Sequence, residues 1–172
     1  SLGYELEIVD KKQDDSVHRD ISSTYIKEEL DRGNIEKANE LLGEPYAIHG
    51  LVAHGNHMGG PVLGFPTANL LPPPEKYLPP FGVYVSKVLV DGKYYGGITN
   101  IGKKPTIRGD NPISVETFVF DLDQDLYGKP IEVQLLNFER PERKFQSLEE
   151  LKSQINKDKE YGLSYLERFN CM

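Results

Sequence analysis

Three short stretches carry side chains whose types and spacing suit chemistry. The first is Gly64-Phe65-Pro66-Thr67-Ala68-Asn69. Pro66 fixes its own φ and biases Phe65 toward extended backbone. On an extended chain Thr67 and Asn69, two apart, point to one side. A hydroxyl and an amide carbonyl are neutral oxygen ligands, which a hard cation such as Mg²⁺ accepts when nucleotide phosphates supply the negative charge. The same residues also suit a stiff loop in which Thr67 and Asn69 merely bond the backbone. The second stretch is Ser114-Val115-Glu116-Thr117-Phe118-Val119-Phe120. As a strand it puts Val115, Thr117 and Val119 on one face and Glu116, Phe118 and Phe120 on the other. A carboxylate on an aromatic face is a candidate general base; an edge-strand glutamate pointing into water is the alternative. The third is Arg140-Pro141-Glu142-Arg143-Lys144-Phe145. Two arginines beside a phenylalanine can stack on and hydrogen-bond a planar ligand, or form a solvated charge run.

A fourth stretch, Gly55-Asn56-His57-Met58-Gly59-Gly60, leads into the first. Its glycines allow backbone N–H groups close to a phosphate. No Gly-Lys-Ser/Thr follows, so it is not a Walker loop, and a plain hairpin loop is the more common explanation. His49, His54 and His57 have no carboxylate or cysteine to complete a tetrahedral set, so no zinc site is read. No Ser-His-Asp order and no Cys/His nucleophile pair is present.

The elements that must position these groups follow from periodicity. From Tyr46 the pattern has period two, predicting strands at 46–54, 65–70, 83–90, 94–101, 115–120 and 130–138. Asp91-Gly92 between apolar runs predicts a tight hairpin. Short connections without helices point to an antiparallel sheet closed or folded into a barrel. Pro72-Pro73-Pro74 and Pro79-Pro80 bracket a stiff loop. Upstream, 4–9 reads as a short strand and the charged stretch 10–20 as loop or disorder. A helix starts near Ser22-Ser23, with Ile26 and Leu30 on one face and Gly33 as its stop. A second runs from Asn34 to Leu42, with Ala38, Leu41 and Leu42 as its stripe and Gly43 at its end. A last helix starts at Ser147, capped with Glu150 and lined by Leu148, Leu151 and Ile155; Gly162 is expected to break it.

The 172 residues are enough for one domain with a real core and an appendage. The net charge of −7 argues against a nucleic-acid surface. The single cysteine, Cys171, allows no internal disulfide, which fits a reducing cytoplasm. No apolar run approaches the ~20 residues of a membrane span, and no signal peptide is visible. Beginning Ser1-Leu2, the chain reads as a piece of a longer protein.

Gly64 to Asn69 resembles the signature of riboflavin kinases. The remaining motifs fall in that family's order: Gly55 and the following glycines, then Asn100-Ile101-Gly102 with Pro105-Thr106, then Val115-Glu116-Thr117, then Leu126-Tyr127-Gly128-Lys129, then Arg140-Pro141-Glu142 with Phe145. The resemblance covers about residues 44–160. Ile21-Ser22-Ser23-Thr24-Tyr25-Ile26 resembles the last nucleotide-site motif of the FMN adenylyltransferase domain that precedes the kinase in bacterial bifunctional FAD synthetases. The resemblance therefore implies residues 1–43 as a junction left from that domain and 44–172 as the kinase domain.

What it implies is a mainly β fold: a six-stranded antiparallel Greek-key barrel with a C-terminal α-helix and a short N-terminal helical pair. The implied reaction transfers the γ-phosphate of ATP to the 5′-hydroxyl of riboflavin, giving FMN and ADP, with Mg²⁺ accompanying ATP. By position, Glu116 matches the catalytic base, and Thr67 and Asn69 match the metal and phosphate ligands. Gly55, Gly64, Val119, Asp121 and Tyr127 match positions about the nucleotide. Arg140, Arg143 and Phe145 match the loop over the flavin. The implied partners are riboflavin, MgATP and, in the full-length protein, an adenylyltransferase domain in cis, which alone would carry FMN adenylyltransferase activity. A catalytically silent flavin- or nucleotide-binding module is the alternative, and a barrel that binds other proteins a third reading. The sequence departs from the family at residues 58–63, Met-Gly-Gly-Pro-Val-Leu, which lack the usual basic residue; backbone groups, Lys103 or Lys104 would then hold phosphate. Tyr25 and Lys27 stand at two further family positions, and Ile107-Arg108-Gly109-Asp110 is unlike the family's loop.

Overall fold

The computed structural model describes residues 11–53, 67–103 and 113–169. The expected strand at 4–9, the glycine stretch with Gly55, Gly64 to Pro66, Lys104, the 107–110 loop and Cys171 lie outside the described residues.

The first helices form as their caps dictate. Ser22 Oγ accepts from Tyr25 N at 3.2 Å at the start of α1, Ser23–Asp31. Gly33 and Gly43 end α1 and α2, Ile35–Leu42, at φ of +75° and +79°. Leu30, Ile35 and Ala38 pack into the main core. Leu42 is 38% exposed, so Ile35 takes the place expected for it on the buried stripe. Asn39 ties the pair to the sheet: its Nδ2 donates to Leu135 O at 2.8 Å, and its Oδ1 accepts from Tyr46 N at 2.7 Å.

The stretch 10–20 is not wholly loop. Gln13–Asp14 (β1) and Arg19–Asp20 (β2) pair as a small antiparallel hairpin. It is fastened by polar contacts, which leave no hydrophobic period to read. Buried Asp14 accepts from Tyr25 Oη at 2.8 Å and lies 2.8 Å from Lys37 Nζ.

Six strands follow: β3 Tyr46–Ala53, β4 Thr67–Leu70, β5 Gly82–Val90, β6 Lys93–Lys103, β7 Ile113–Val119 and β8 Pro130–Pro141. They close an all-antiparallel barrel in the order β3-β4-β7-β6-β5-β8, the expected architecture. Ile48, Leu70, Tyr84, Val88, Ile101, Val115, Val133 and Leu135 form its core and are fully or almost fully shielded. Asp91 and Gly92, at φ of 48° and 79°, make the predicted hairpin turn between β5 and β6. Two register shifts between β5 and β8 leave Leu136 and Glu139 without a partner across the ladder. The first lets adjacent leucines serve two cores, with Leu135 in the main one and Leu136 in a second.

That second core lies beneath α3, Leu148–Arg168, where Leu166 packs with Val83, Val85, Ile98, Phe120 and Leu136. Ser147 Oγ accepts from Glu150 N at 3.1 Å, while Glu150 Oε2 accepts from Gln146 N at 2.9 Å. Gly162 does not break the helix. A Cβ there would stand 2.6 Å from Ile98 Cδ1, so the absent side chain lets helix and barrel approach. Leu148, expected on the buried face, is 52% exposed.

Candidate active site

Register brings the predicted groups into two rows across three strands. Asn69 on β4 stands opposite Glu116 on β7, which stands opposite Asn100 on β6. The next outward-facing row is Thr67, Phe118 and Ile98. Alternation sends Val115, Thr117 and Val119 into the barrel and these rows to its outer wall. A cavity of about 270 Å³ lies between that wall, the 140–145 segment and the first half of α3. Thr67, Asn100, Glu116, Arg140, Glu142, Arg143 and Asp158 provide its polar lining, and Val83, Ile98, Phe118, Phe145, Leu151 and Ile155 its apolar walls. The lining thus combines carboxylates and arginines with apolar walls that suit a flat ring system.

Asn69 is 6% exposed. Its Nδ2 donates to Thr67 O at 3.4 Å, while its buried Oδ1 has no hydrogen-bond partner among the described residues. A buried acceptor without a partner is costly unless something else satisfies it. Beside the Thr67 hydroxyl, such an oxygen fits the donor set a Mg²⁺–phosphate group requires.

Asn100 Nδ2 donates to Glu142 Oε1 at 3.3 Å. Gly102 makes this approach possible, since a Cβ there would lie 2.0 Å from the same Glu142 oxygen. Arg143 stacks on Phe145 at 4.7 Å and reaches Glu150 at 3.3 Å. Arg140 is held by α3. Its Nε and one terminal nitrogen clasp both carboxylate oxygens of Asp158 at 3.0 and 2.6 Å. Burial, reinforced by the Asp158 charge, pushes the neighbouring Glu139 carboxyl up to about 8.

The structure brings Thr67, Glu116, Arg140, Arg143 and Phe145 to one cavity, with Asn69 directly across the ladder from Glu116. It does not bring Val119, Asp121 or Tyr127 there. Val119 points into the barrel core, Asp121 sits in the turn after β7 at φ 53°, and Tyr127 is 53% exposed. The sequence reading missed Asn100, Glu142 and Asp158 as lining residues. The polar Asn100 alternating with Ile98 on β6 was a usable signal for the first. Asp158 had none, because the buried face of α3 is set by what it docks against.

The profile of the flavokinase family, described as riboflavin kinase, matches residues 42–166. A bifunctional riboflavin kinase/FMN adenylyltransferase of Bacillus subtilis is 45% identical over 148 residues, covering 84% of this chain and 46% of that protein. The chain spans about half the length of the curated relatives it matches. A solved structure described as a macrolide-efflux protein from Streptococcus pneumoniae superposes with a TM-score of 0.79 at 36% identity, over 88% of this chain and 49% of that one. No helix among the described residues is long and apolar enough to cross a membrane. A riboflavin kinase from Trypanosoma brucei shares the fold, with a TM-score of 0.51 at 23% identity over 72% of this chain and 80% of that one.

Proposed function

The chain belongs to the riboflavin kinase family, and from that premise we propose that it transfers the γ-phosphoryl group of ATP to the 5′-hydroxyl of riboflavin, giving FMN and ADP. The observation that carries this reading is that Glu116 and Asn100 line one cavity with Phe118 and Phe145, while Asn69 stands across the ladder from Glu116.

Phosphoryl transfer needs positioning and charge neutralisation more than covalent help. Phe118 and Phe145, with the aliphatic walls, hold the flavin ring and keep water from it. Arg143, already stacked on Phe145, closes that side. The ribityl chain then runs toward Glu116, whose carboxylate accepts the proton of the 5′-hydroxyl as the hydroxyl oxygen bonds to the γ-phosphorus and the bond from that phosphorus to the β,γ-bridging oxygen breaks, releasing ADP. Thr67 Oγ and Asn69 Oδ1 would hold Mg²⁺, which offsets negative charge on the ATP phosphates when bound. Asn100 steadies the wall beside the base through Glu142. Gly55, Gly64, Val119, Asp121 and Tyr127 are assigned to the nucleotide.

Residues 44–172 form the kinase domain in this reading, and 1–43 the junction to an FMN adenylyltransferase domain in cis in the cytoplasmic full-length protein. The bifunctional relatives support that arrangement. Glu116→Gln tests the core of the proposal. General-base help is worth ~10²–10⁴-fold, so kcat should fall by that factor while both KM values change little. Near-normal turnover by this variant would overturn the assignment.

A further inference from the structure

We propose that Asp158 is a positioning residue for the flavin side of the reaction: from α3 it fixes the Arg140 guanidinium in the cavity wall, where the remaining N–H groups can meet the substrate. The inference rests on the riboflavin kinase reading above.

Arg140 and Asp158 both line the cavity, one from β8 and the other from the helix opposite. Their side chains are 19% and 3% exposed. The clasp is two-pronged, Nε to Oδ1 at 3.0 Å and a terminal nitrogen to Oδ2 at 2.6 Å. Gln154, one turn earlier, donates to Asp158 Oδ1 at 2.6 Å and holds the carboxylate's orientation. The other terminal nitrogen of Arg140 donates to Pro141 O at 3.2 Å. A guanidinium has five N–H donors, so these three bonds leave two for a ligand.

A buried ion pair is a poor device for stability, because desolvation offsets much of its attraction and a well-packed apolar pair often does as well or better. Helix docking does not need it. Gly162 and Leu166 already seat α3 on Ile98, Phe120 and Leu136 through apolar contact. What an apolar pair cannot supply is a donor fork held at a fixed place in the cavity wall. The charge count agrees. Glu139, beside Asp158, is held neutral near pH 7 by burial and by the Asp158 charge, so one carboxylate faces one guanidinium.

The test compares wild type, Asp158→Asn and the double variant Arg140→Met with Asp158→Leu, using melting temperature, both KM values, kcat and riboflavin affinity from fluorescence quenching. Asp158→Asn should raise the riboflavin KM and Kd about 10- to 100-fold, the range of a charge-assisted hydrogen bond. The ATP KM should stay within about twofold and kcat within about threefold, on the KM-against-kcat logic for a binding interaction. The double variant should regain the wild-type melting temperature yet keep the raised riboflavin KM and Kd. Recovery of riboflavin affinity together with stability would show that the pair is only packing and overturn the proposal. Unchanged riboflavin affinity in Asp158→Asn would do the same. Should Asp158→Asn not fold, the double variant alone decides between these outcomes. A wild-type chain that quenches riboflavin but forms no FMN overturns the kinase reading while leaving Asp158 to be judged by Kd. A wild-type chain that does not bind riboflavin overturns both.

Discussion

Glu139 sets a pH dependence of stability whose sign and size follow from its surroundings. It occupies the second register shift of β8 against β5, and its buried Oε2 has no hydrogen-bond partner among the described residues. Asp158 and Arg140 are the charged groups that act on it directly, and Tyr161 of α3 lies close, itself facing Glu36 of α2. Burial first, then the Asp158 charge, raise the carboxyl from 4.5 to about 8, and Arg140 opposes them only in part. Between those values the folded chain holds a proton that the unfolded chain has released. The contribution is therefore whole below about pH 4.5 and is lost as pH rises through about 8. At about 1.36 kcal/mol per pH unit, that interval bounds the loss at about 5 kcal/mol. Glu139 is only partly buried, and solvent screening lowers the expected value to about 1–3 kcal/mol. Glu139→Gln keeps the shape and the donor of the protonated acid but cannot ionise. Urea unfolding of both proteins from pH 5 to pH 9 should give near-equal stability at the acid end. At the alkaline end the variant should lead by about 1–3 kcal/mol, or ~2–4 °C of melting temperature for each kcal/mol. Parallel stability curves across the range would refute the reasoning.

The other predictions concern the metal ligands, the helix seat and the N-terminal hairpin. Thr67→Ala and Asn69→Ala should each shift the Mg²⁺ requirement of FMN formation to higher concentration; unchanged Mg²⁺ titrations in both would remove the ligand assignment. Gly162→Leu forces a side chain into Ile98 and Phe120, where even a Cβ is too close to Ile98. Overpacking of this kind costs about 1–3 kcal/mol, and urea unfolding should register it. Lys37 and Ser16 hold the Asp14 carboxylate well below its usual range, so its contribution is present above about pH 4 and lost as pH falls. Asp14→Asn should accordingly speed amide exchange in β1 and β2 at neutral pH, and exchange as slow as in wild type would count against that anchoring role.

Where the sequence was informative, one local rule settled the outcome. Period-two runs and the Asp91-Gly92 turn placed six strands to within a few residues, because each strand has one face in a core. Ser22, Gly33, Gly43 and Ser147 marked helix ends because the backbone there needs a side-chain acceptor or a left-handed residue. Glu116, Phe118 and Thr67 were legible as site candidates because register across β4 and β7 preserves the alternation seen in sequence. The same alternation placed Val119 with Val115, facing the core and away from Glu116. The misreadings share another cause. Gly162 is a helix breaker by propensity, but a neighbour's approach decides its role here. The β1–β2 hairpin rests on ion pairs and hydrogen bonds that carry no period. Arg140 shows its place at the cavity in the sequence but not its ion-pair partner, because Asp158 depends on how a helix 18 residues later docks. Glu139 owes its altered acidity to a register shift that only the paired strands reveal.

The central claim is phosphoryl transfer to riboflavin by this chain. Its most direct test is to incubate the purified protein with riboflavin, ATP and Mg²⁺ and to quantify flavins and nucleotides chromatographically over time. The account predicts FMN and ADP appearing in equal amounts, with neither formed when riboflavin is left out. Riboflavin recovered unchanged, or ADP accumulating without FMN, would contradict it.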